Sequence, residues 1–339
     1  MLTHLLAAAF VSLLLPQDPP SPAELLTRRT WLVDGIERTA LLHVPPTATT
    51  EPTPLVFVFH GHGGRAPAVA RSFHLHELWP DAVVVYPQGL PTQTGRDPEG
   101  QRPGWQNRAG TDGDRDLHFV DAMLASLQQE LRIDENHVHA TGHSNGGGFT
   151  YLLWAERSAR FASFAPSAAG AGGLRGASPS PRPVLHIAGR RDTVVPFEQQ
   201  QRTMQALLAA QQAAPGEPWP AAPGVTWHHA ANGGHVATLI HDGTHTFPDS
   251  APACIAAFFQ ATARPSPWLT EPARGPGLVQ HVYRSPAAGT EVSYHVYLPP
   301  DYGDEPERRY PVVYWLHGSG GGSAGLPVLA RALDDAIRR

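Results

Sequence analysis

Five consecutive residues, Leu55-Val-Phe-Val-Phe59, are apolar, with Pro54 before them and a glycine-rich loop after. A strand with one wet face alternates apolar and polar side chains. An unbroken run of this length belongs to a strand covered on both faces, as in a parallel sheet held between helices. Ala82-Val-Val-Val-Tyr86 repeats the pattern and is closed by Pro87. Further strand candidates are His137 to Thr141, Phe161 to Pro166, Val184 to Ala188, Val225 to His229 and Val236 to Ile240. Between them, Asp116 to Leu131 carries apolar residues at helical spacing behind acidic residues that suit a helix N-terminus. Phe197 to Ala213 and Pro252 to Thr262 also read as helices. Ahead of all these, Trp31 to Val33 and Glu37 to Val44 flank Asp34-Gly35, a tight hairpin signal. Alternating strand and helix predicts an α/β fold with a mostly parallel sheet.

After Ala263 the texture changes. A linker rich in Pro, Gly and Arg precedes strand candidates at Leu278 to Tyr283, Glu291 to Leu298 and Val312 to Leu316. There the chain repeats itself: PLVFVFHGHGG (Pro54 to Gly64) and PVVYWLHGSGG (Pro311 to Gly321) align without a gap. The 18 residues after Gly321 are too few for the crossovers that a covered parallel sheet needs. The expected organisation is therefore a first α/β domain over 29–262, a linker over 263–277, and a truncated second domain over 278–339. At the other end, Leu5 to Leu15 is an apolar run too short to span a bilayer as a helix, followed by Pro16 to Pro22. That order predicts a signal peptide over residues 1–17, an extracellular or periplasmic protein, and no stable membrane insertion once the signal is removed.

Composition narrows the functional classes. A net charge of −5 with no basic block argues against nucleic-acid binding, and the lone Cys254 excludes an internal disulfide or a cysteine-rich metal site. Three His-x-His pairs (60/62, 74/76 and 137/139) would place two rings on one face of a strand, but no acidic or cysteine partner recurs beside them. No metal or organic cofactor is called for.

The chemistry points to Thr141-Gly142-His143-Ser144-Asn145-Gly146-Gly147, set between a predicted strand and a predicted helix. This is the G-x-S-x-G nucleophile elbow in its proper setting, with Gly142 and Gly146 permitting a sharp turn that lifts Ser144 above the sheet. A serine hydroxyl needs a histidine to take its proton and a carboxylate to orient that histidine, arriving in the order Ser, Asp, His. Asp192 follows the strand candidate ending at Ala188. Three histidines compete for the last place: His245, after a Gly and before an aromatic-Pro, is favoured, His235 comes second and His241 third. The backbone N–H groups of Asn145 and His62, the latter in the loop His60-Gly-His-Gly-Gly64, are the candidate oxyanion donors. His60 itself reads as a structural support for that loop. Trp105 and Gln106 are candidates for contacting an aryl or sugar group.

These motifs, together with VVYPQG (Val84 to Gly89), DLHFVDAML (Asp116 to Leu124), HVHATGHSNGGGFTYLL (His137 to Leu153), GRRDTVVPF and GTHTFP, resemble the polyhydroxybutyrate depolymerase/feruloyl esterase-like family. The resemblance covers roughly Arg29 to Thr262. It implies an α/β-hydrolase fold and a secreted serine carboxylic-ester hydrolase whose triad falls on Ser144, Asp192 and His245. It further implies feruloyl or acetyl esters of plant polysaccharide as substrates, with short polyesters second. Many members carry a cysteine in the oxyanion loop where this chain has His62, and the elbow GHSNGG is similar to the feruloyl or acetylxylan branch. The stretch VSYHVYLPPDY (Val292 to Tyr302) with YPVVYWLHGSGGG is similar to the start of the esterase D/enterochelin-esterase-like branch, so a partner domain missing from the C-terminus is expected. A serine peptidase and a non-catalytic binding module are the competing readings.

Overall fold

The structure, a computed structural model, describes residues 26–264, 273–285, 290–300, 302–304, 307–316 and 325–337. The apolar run Leu5 to Leu15, read as a signal, lies outside the described residues, as do the middle of the linker and the second His-Gly-x-Gly-Gly loop.

The chain opens with β1 (Thr27–Val33) and β2 (Ile36–His43), paired antiparallel through the predicted hairpin. Asp34 and Gly35 both take positive φ, 49° and 78°, the conformation that the primed two-residue turn demands. Next come β3 (Thr53–Phe59), α1 (Ala66–Phe73), α2 (Leu75–Leu78) and β4 (Val83–Pro87). The two-residue strands β5 (Leu90–Pro91) and β6 (Pro103–Gly104) pair with each other. They precede α3 (Arg115–Glu130), β7 (Ile133–His143), α4 (Asn145–Arg157) and β8 (Ser163–Ser167). The remainder of the main body is β9 (Val184–Gly189), α5 (Phe197–Ala210), β10 (Glu217–Pro218), β11 (Val225–His228), β12 (Val236–His241) and α6 (Ala251–Ala261).

Ten strands form one sheet in the order β1-β2-β4-β3-β7-β8-β9-β12-β11-β10. The six from β4 to β12 run parallel, and the antiparallel pairs sit at the two edges. The alternation hidden in the apolar runs now becomes visible. Along β3, Leu55, Phe57 and Phe59 face one side, where Leu117, Val120 and Met123 of α3 and Phe149 and Leu153 of α4 cover them. Val56 and Val58 face the other, against Val69 and Phe73 of α1 and Ile255, Phe258 and Phe259 of α6. Each such buried side chain contributes roughly 1.5–3 kcal/mol of transfer free energy. A sheet sandwiched in this way cannot shift register, so the loops at its carboxyl edge are held in fixed relation.

The expected fold class is thus observed. No helix is predicted between Gly64 and Ala82, where the structure forms α1 and α2. The buried Ala66, Val69, Ala70 and Phe73 of α1 do recur at helical spacing, but over only eight residues, and His74 ends that helix with φ of 32°.

Toward the C-terminus, β13 (Leu278–Ser285) and β14 (Thr290–Tyr297) pair antiparallel, close to two of the predicted strands. The helix α7 (Leu326–Ile337) follows, with Tyr297 Oη donating to Asp334 Oδ1. The strand predicted at Val312 to Leu316 is not formed. Residues 311–316 have no regular structure, and Val313 and Leu316 are 84% and 88% exposed. A run of this kind becomes a strand only when neighbours take its backbone hydrogen bonds and helices cover both faces; among the described residues none does.

Candidate active site

Ser144 sits at the junction of β7 and α4 with φ 57° and ψ −117°, a conformation that L side chains rarely adopt. The turn persists because its surroundings exclude alternatives. A Cβ on Gly142 would lie 2.6 Å from the backbone of Gly146, and one on Gly146 would lie 2.3 Å from the carbonyl oxygen of Phe59. The glycines are therefore needed for space, since neither has positive φ. The Ser144 N–H donates to the Ser167 carbonyl at 2.8 Å, tying the elbow to the neighbouring strand.

Asp192 follows β9 and His245 follows β12. These strands are parallel neighbours, so both loops leave the same edge of the sheet. The loops are laced together: Arg190 N–H donates to His241 O and Arg191 N–H to Gly243 O. Gly189 permits the approach, since a Cβ there would meet Thr244 O at 2.4 Å. The result is a continuous relay. Ser144 Oγ lies 2.8 Å from His245 Nε2, and His245 Nδ1 lies 2.8 Å from Asp192 Oδ2.

The Asp192 carboxylate is buried and fully partnered. Its Oδ1 accepts from the Val194 and Val195 N–H groups at 2.8 and 3.0 Å, and Oδ2 accepts from Gln200 Nε2 at 3.0 Å as well as from His245. Burial pushes this carboxyl up, but the bonds from His245 and the backbone outweigh it and hold the group below the ordinary carboxylate range. An ionised, doubly capped carboxylate fixes the imidazole with its proton on Nδ1. Nε2 is thereby left as an acceptor for the serine proton.

The competing histidines are placed elsewhere. His235 Nδ1 accepts from Ala230 N–H and its ring packs on Trp227, while His241 Nδ1 accepts from Gly243 N–H. His143, within the elbow, has its own task. Its Nε2 is 3.3 Å from the His245 carbonyl and its Nδ1 3.1 Å from Ser167 Oγ, so a neutral ring donates to the backbone of His245 and accepts from the serine. Burial, then the nearby His245, lowers its pKa to about 4, which keeps it neutral around pH 7.

The loop after β3 comes against the elbow, where a Cβ on Gly61 would lie 3.5 Å from Ser144 Cβ. Gly104 is wedged between the His62 ring and the Asn145 carboxamide, where a Cβ would be 2.7 and 2.9 Å from them. The Asn145 N–H opens α4 and has no carbonyl one turn back to accept it. The His62 ring is held by Asp97, Nε2 to Oδ2 at 3.0 Å. His60 supports the loop as expected: Nδ1–H donates to Gly61 O, and Nε2 accepts from Gly89 N–H.

Trp105 and Gln106, the candidates for substrate contact, prove structural and are not available to a substrate. Both are about 1% exposed. Trp105 exchanges two backbone hydrogen bonds with the Asn145 side chain and donates from Nε1 to His60 O, bracing the loop after β3 against the elbow. Gln106 pairs with Asp114 and the Asp116 backbone. Aromatic character and a loop position suggested substrate contact; close packing instead buries the ring among Phe59, His60 and Phe149. Gln200 and Ser167 carry no sequence signal of their own and emerge only from the folded geometry.

Beside Ser144 lies a cleft of about 410 Å³, lined by Asn107, Arg108, Asn145, Gly170, Val194 and Gln199 among others, with no aromatic side chain in its lining. Its size is that of a small-ligand site.

Comparison with known proteins agrees with the fold. A protein-family model described as "Putative esterase" matches residues 285–329, the stretch whose sequence holds the second His-Gly-x-Gly-Gly motif. The chain is 33% identical over 187 residues to "Putative esterase NocK" of Nocardia uniformis subsp. tsuyamanensis, covering 51% of this chain and 50% of the relative. It is 29% identical over 178 residues to "Probable feruloyl esterase C" of Aspergillus flavus, covering 50% of this chain and 62% of the relative. The chain thus spans about half to three fifths of the length of these curated relatives. Among solved structures, an acetyl xylan esterase from Aspergillus awamori superposes with a TM-score of 0.53 at 14% identity, covering 68% of this chain and 98% of that one. The likeness to the solved structure is one of fold, the α/β-hydrolase fold, and over about half its length the chain is similar in sequence to proteins described as esterases.

Proposed function

We propose that the protein is a serine carboxylic-ester hydrolase in which Ser144, His245 and Asp192 form the catalytic triad. The observation that carries this reading is the relay of two 2.8 Å contacts from the serine through the imidazole to a buried, ionised carboxylate. Ser144 Oγ attacks the ester carbonyl carbon as its proton passes to His245 Nε2. The N–H groups of Asn145 and His62 stabilise the tetrahedral oxyanion. His245 then gives the proton to the departing alcohol, and the C–O bond to that alcohol breaks, leaving an acyl-serine. A water molecule, deprotonated by His245 in turn, attacks the acyl carbon and releases the acid.

The substrate class rests on two supports. Similarity to curated feruloyl esterases favours feruloyl esters on plant polysaccharide. A cleft lined by amides, arginines and glycines, with no ring to stack on a phenolic acyl group, favours short acyl groups such as acetyl on a hydroxylated alcohol. We read the chain as exported, on the strength of the apolar run Leu5 to Leu15, and residues 278–339 as the start of a second esterase-like unit, on the family match over 285–329. The test is hydrolysis of p-nitrophenyl acetate, p-nitrophenyl butyrate and methyl ferulate by the full chain and its Ser144→Ala variant. Turnover that the variant lacks supports the serine esterase, and the preferred ester chooses the acyl class. A folded chain with no turnover on any of the three counts against it.

A further inference from the structure

The cleft beside Ser144 does not end at the scissile position. It adjoins a second hollow of about 490 Å³, and the two share Arg108, Gly172, Gly173 and Arg175 in their linings. Residues common to both stand at the boundary between them. A substrate extending away from the serine along this trough therefore passes Arg108 and Arg175. The floor there is glycine backbone, including Gly170, Gly172 and Gly173, so shape is open and chemistry comes from the few side chains present.

Those side chains are one-sided. In the hollow that holds Ser144 the polar side chains beside the serine and Asn145 are Asn107, Arg108, Arg175 and Gln199, without a carboxylate. Arg96 adds a third cation at the edge, its Nη2 donating to the carbonyl of the lining residue Val194. Four acidic groups stand nearby, none of them in the lining of the inner hollow, and Asp114 accepts from Gln106 Nε2 and the Gly110 N–H. Glu156 lines only the outer hollow, and Asp97 is engaged by His62 and by the Gln101 and Arg102 N–H groups. Asp192 is buried behind His245 and turned into its own hydrogen bonds. The trough thus presents cations to whatever lies beyond the reacting ester, in a protein whose net charge is −5. Neutral acetyl or feruloyl sugars would gain little from such a wall. A carboxylate would gain charge-assisted, two-pronged hydrogen bonds from arginine and field focusing from the cleft.

We infer that the preferred ester carries a carboxylate near the scissile bond, recognised by Arg108 and Arg175, as in an ester on or of an acidic sugar or dicarboxylic acid. This rests on the serine esterase reading above and narrows its substrate class. The anion could belong to the acyl part or to the alcohol, and two matched pairs separate these sources. On the acyl side the pair is p-nitrophenyl hemiglutarate against p-nitrophenyl valerate. On the alcohol side it is 4-acetoxybenzoate against 4-methylphenyl acetate, each rate normalised to alkaline hydrolysis.

In one pair, the ratio of kcat/KM for the anionic to the neutral ester is expected to fall about tenfold in the double variant Arg108→Gln/Arg175→Gln, as suits two solvent-accessible charge contacts. Added salt should shrink the wild-type ratio in the same direction. Binding of the same four compounds to the Ser144→Ala protein, followed by ligand-observed NMR, reads the arginines without turnover. A ratio and a binding preference that the double variant leaves unchanged in both pairs would overturn the inference. Neutral esters that are cleaved equally by wild type and Ser144→Ala would instead overturn the esterase reading, while the binding measurement still decides the role of the arginines.

Discussion

Replacing Asp192 with Asn tests the relay at its least exposed point. The carboxylate accepts four N–H donors, two on each oxygen. Asparagine has one carbonyl oxygen to offer. The Val194 and Val195 N–H groups belong to the backbone and cannot turn away, so that oxygen stays with them. The new NH2 group then faces Gln200 Nε2 and His245 Nδ1, both donors. Gln200 is also held by the Val195 carbonyl at 2.7 Å, so the imidazole is the freer partner. It relieves the clash by moving its proton to Nε2, where it can no longer accept from Ser144. Loss of the correct tautomer in Ser-His-Asp enzymes costs about 10⁴ in kcat, and a fall of about 10³–10⁴ is expected here. The fold should lose about 1.5–3 kcal/mol with the charge-assisted bond. The assay is kcat on p-nitrophenyl butyrate, with thermal unfolding to confirm that the variant is folded. A folded Asp192→Asn protein keeping more than about a tenth of wild-type kcat would refute the reasoning, since that loss is only about 1.4 kcal/mol.

Further predictions concern the fold that holds this site. His186 is fully buried, with Nδ1 2.6 Å from Tyr151 Oη, and burial lowers its pKa to about 4. The unfolded chain therefore binds the extra proton between about pH 6.5 and 4, so stability is complete above that window and falls as pH drops through it. His186→Gln should flatten the fall in unfolding free energy over that range, by an amount on the order of 3 kcal/mol at most. Gly146→Ala should give a misfolded or inactive protein because its Cβ would strike the Phe59 and His60 carbonyls. Gly148→Ala, with nothing within 4 Å of the new atom, should raise unfolding free energy by up to about 1 kcal/mol through helix propensity. Asp116→Ala strands the buried Arg38 guanidinium, 2.7 Å from Asp116 Oδ1, and should cost about 3–5 kcal/mol in denaturant unfolding.

The parallel core was legible because its strands are covered on both faces. Leu55 to Phe59 and Ala82 to Tyr86 can hardly be anything but buried, and the structure extends or trims them by a residue or two. The three proposed triad residues could be picked out because each lies just past such a strand, and the structure brings His245, rather than His235 or His241, to Ser144 and Asp192. What stayed hidden depends on side chains meeting across long stretches of chain. Gln200 beneath Asp192, His143 against the His245 carbonyl and Trp105 clasping Asn145 have no local pattern. Val312 to Leu316 failed for a different reason: its composition promises a strand, but strand formation needs neighbours that composition cannot supply. The bare G-x-S-x-G pattern also occurs a second time, at Gly321-Gly-Ser-Ala-Gly325; a helix follows both copies, and the strand running directly into Ser144 singles out the first.

That duplication frames the most direct measurement of the central claim. The full chain would be treated with a fluorophosphonate, which phosphonylates an activated serine with loss of fluoride, and the adduct located by peptide mass spectrometry. The account predicts one adduct, on Ser144, formed in step with loss of esterase activity and absent from Ser144→Ala. An adduct on Ser323 or another serine, or full inactivation with Ser144 unmodified, would contradict it.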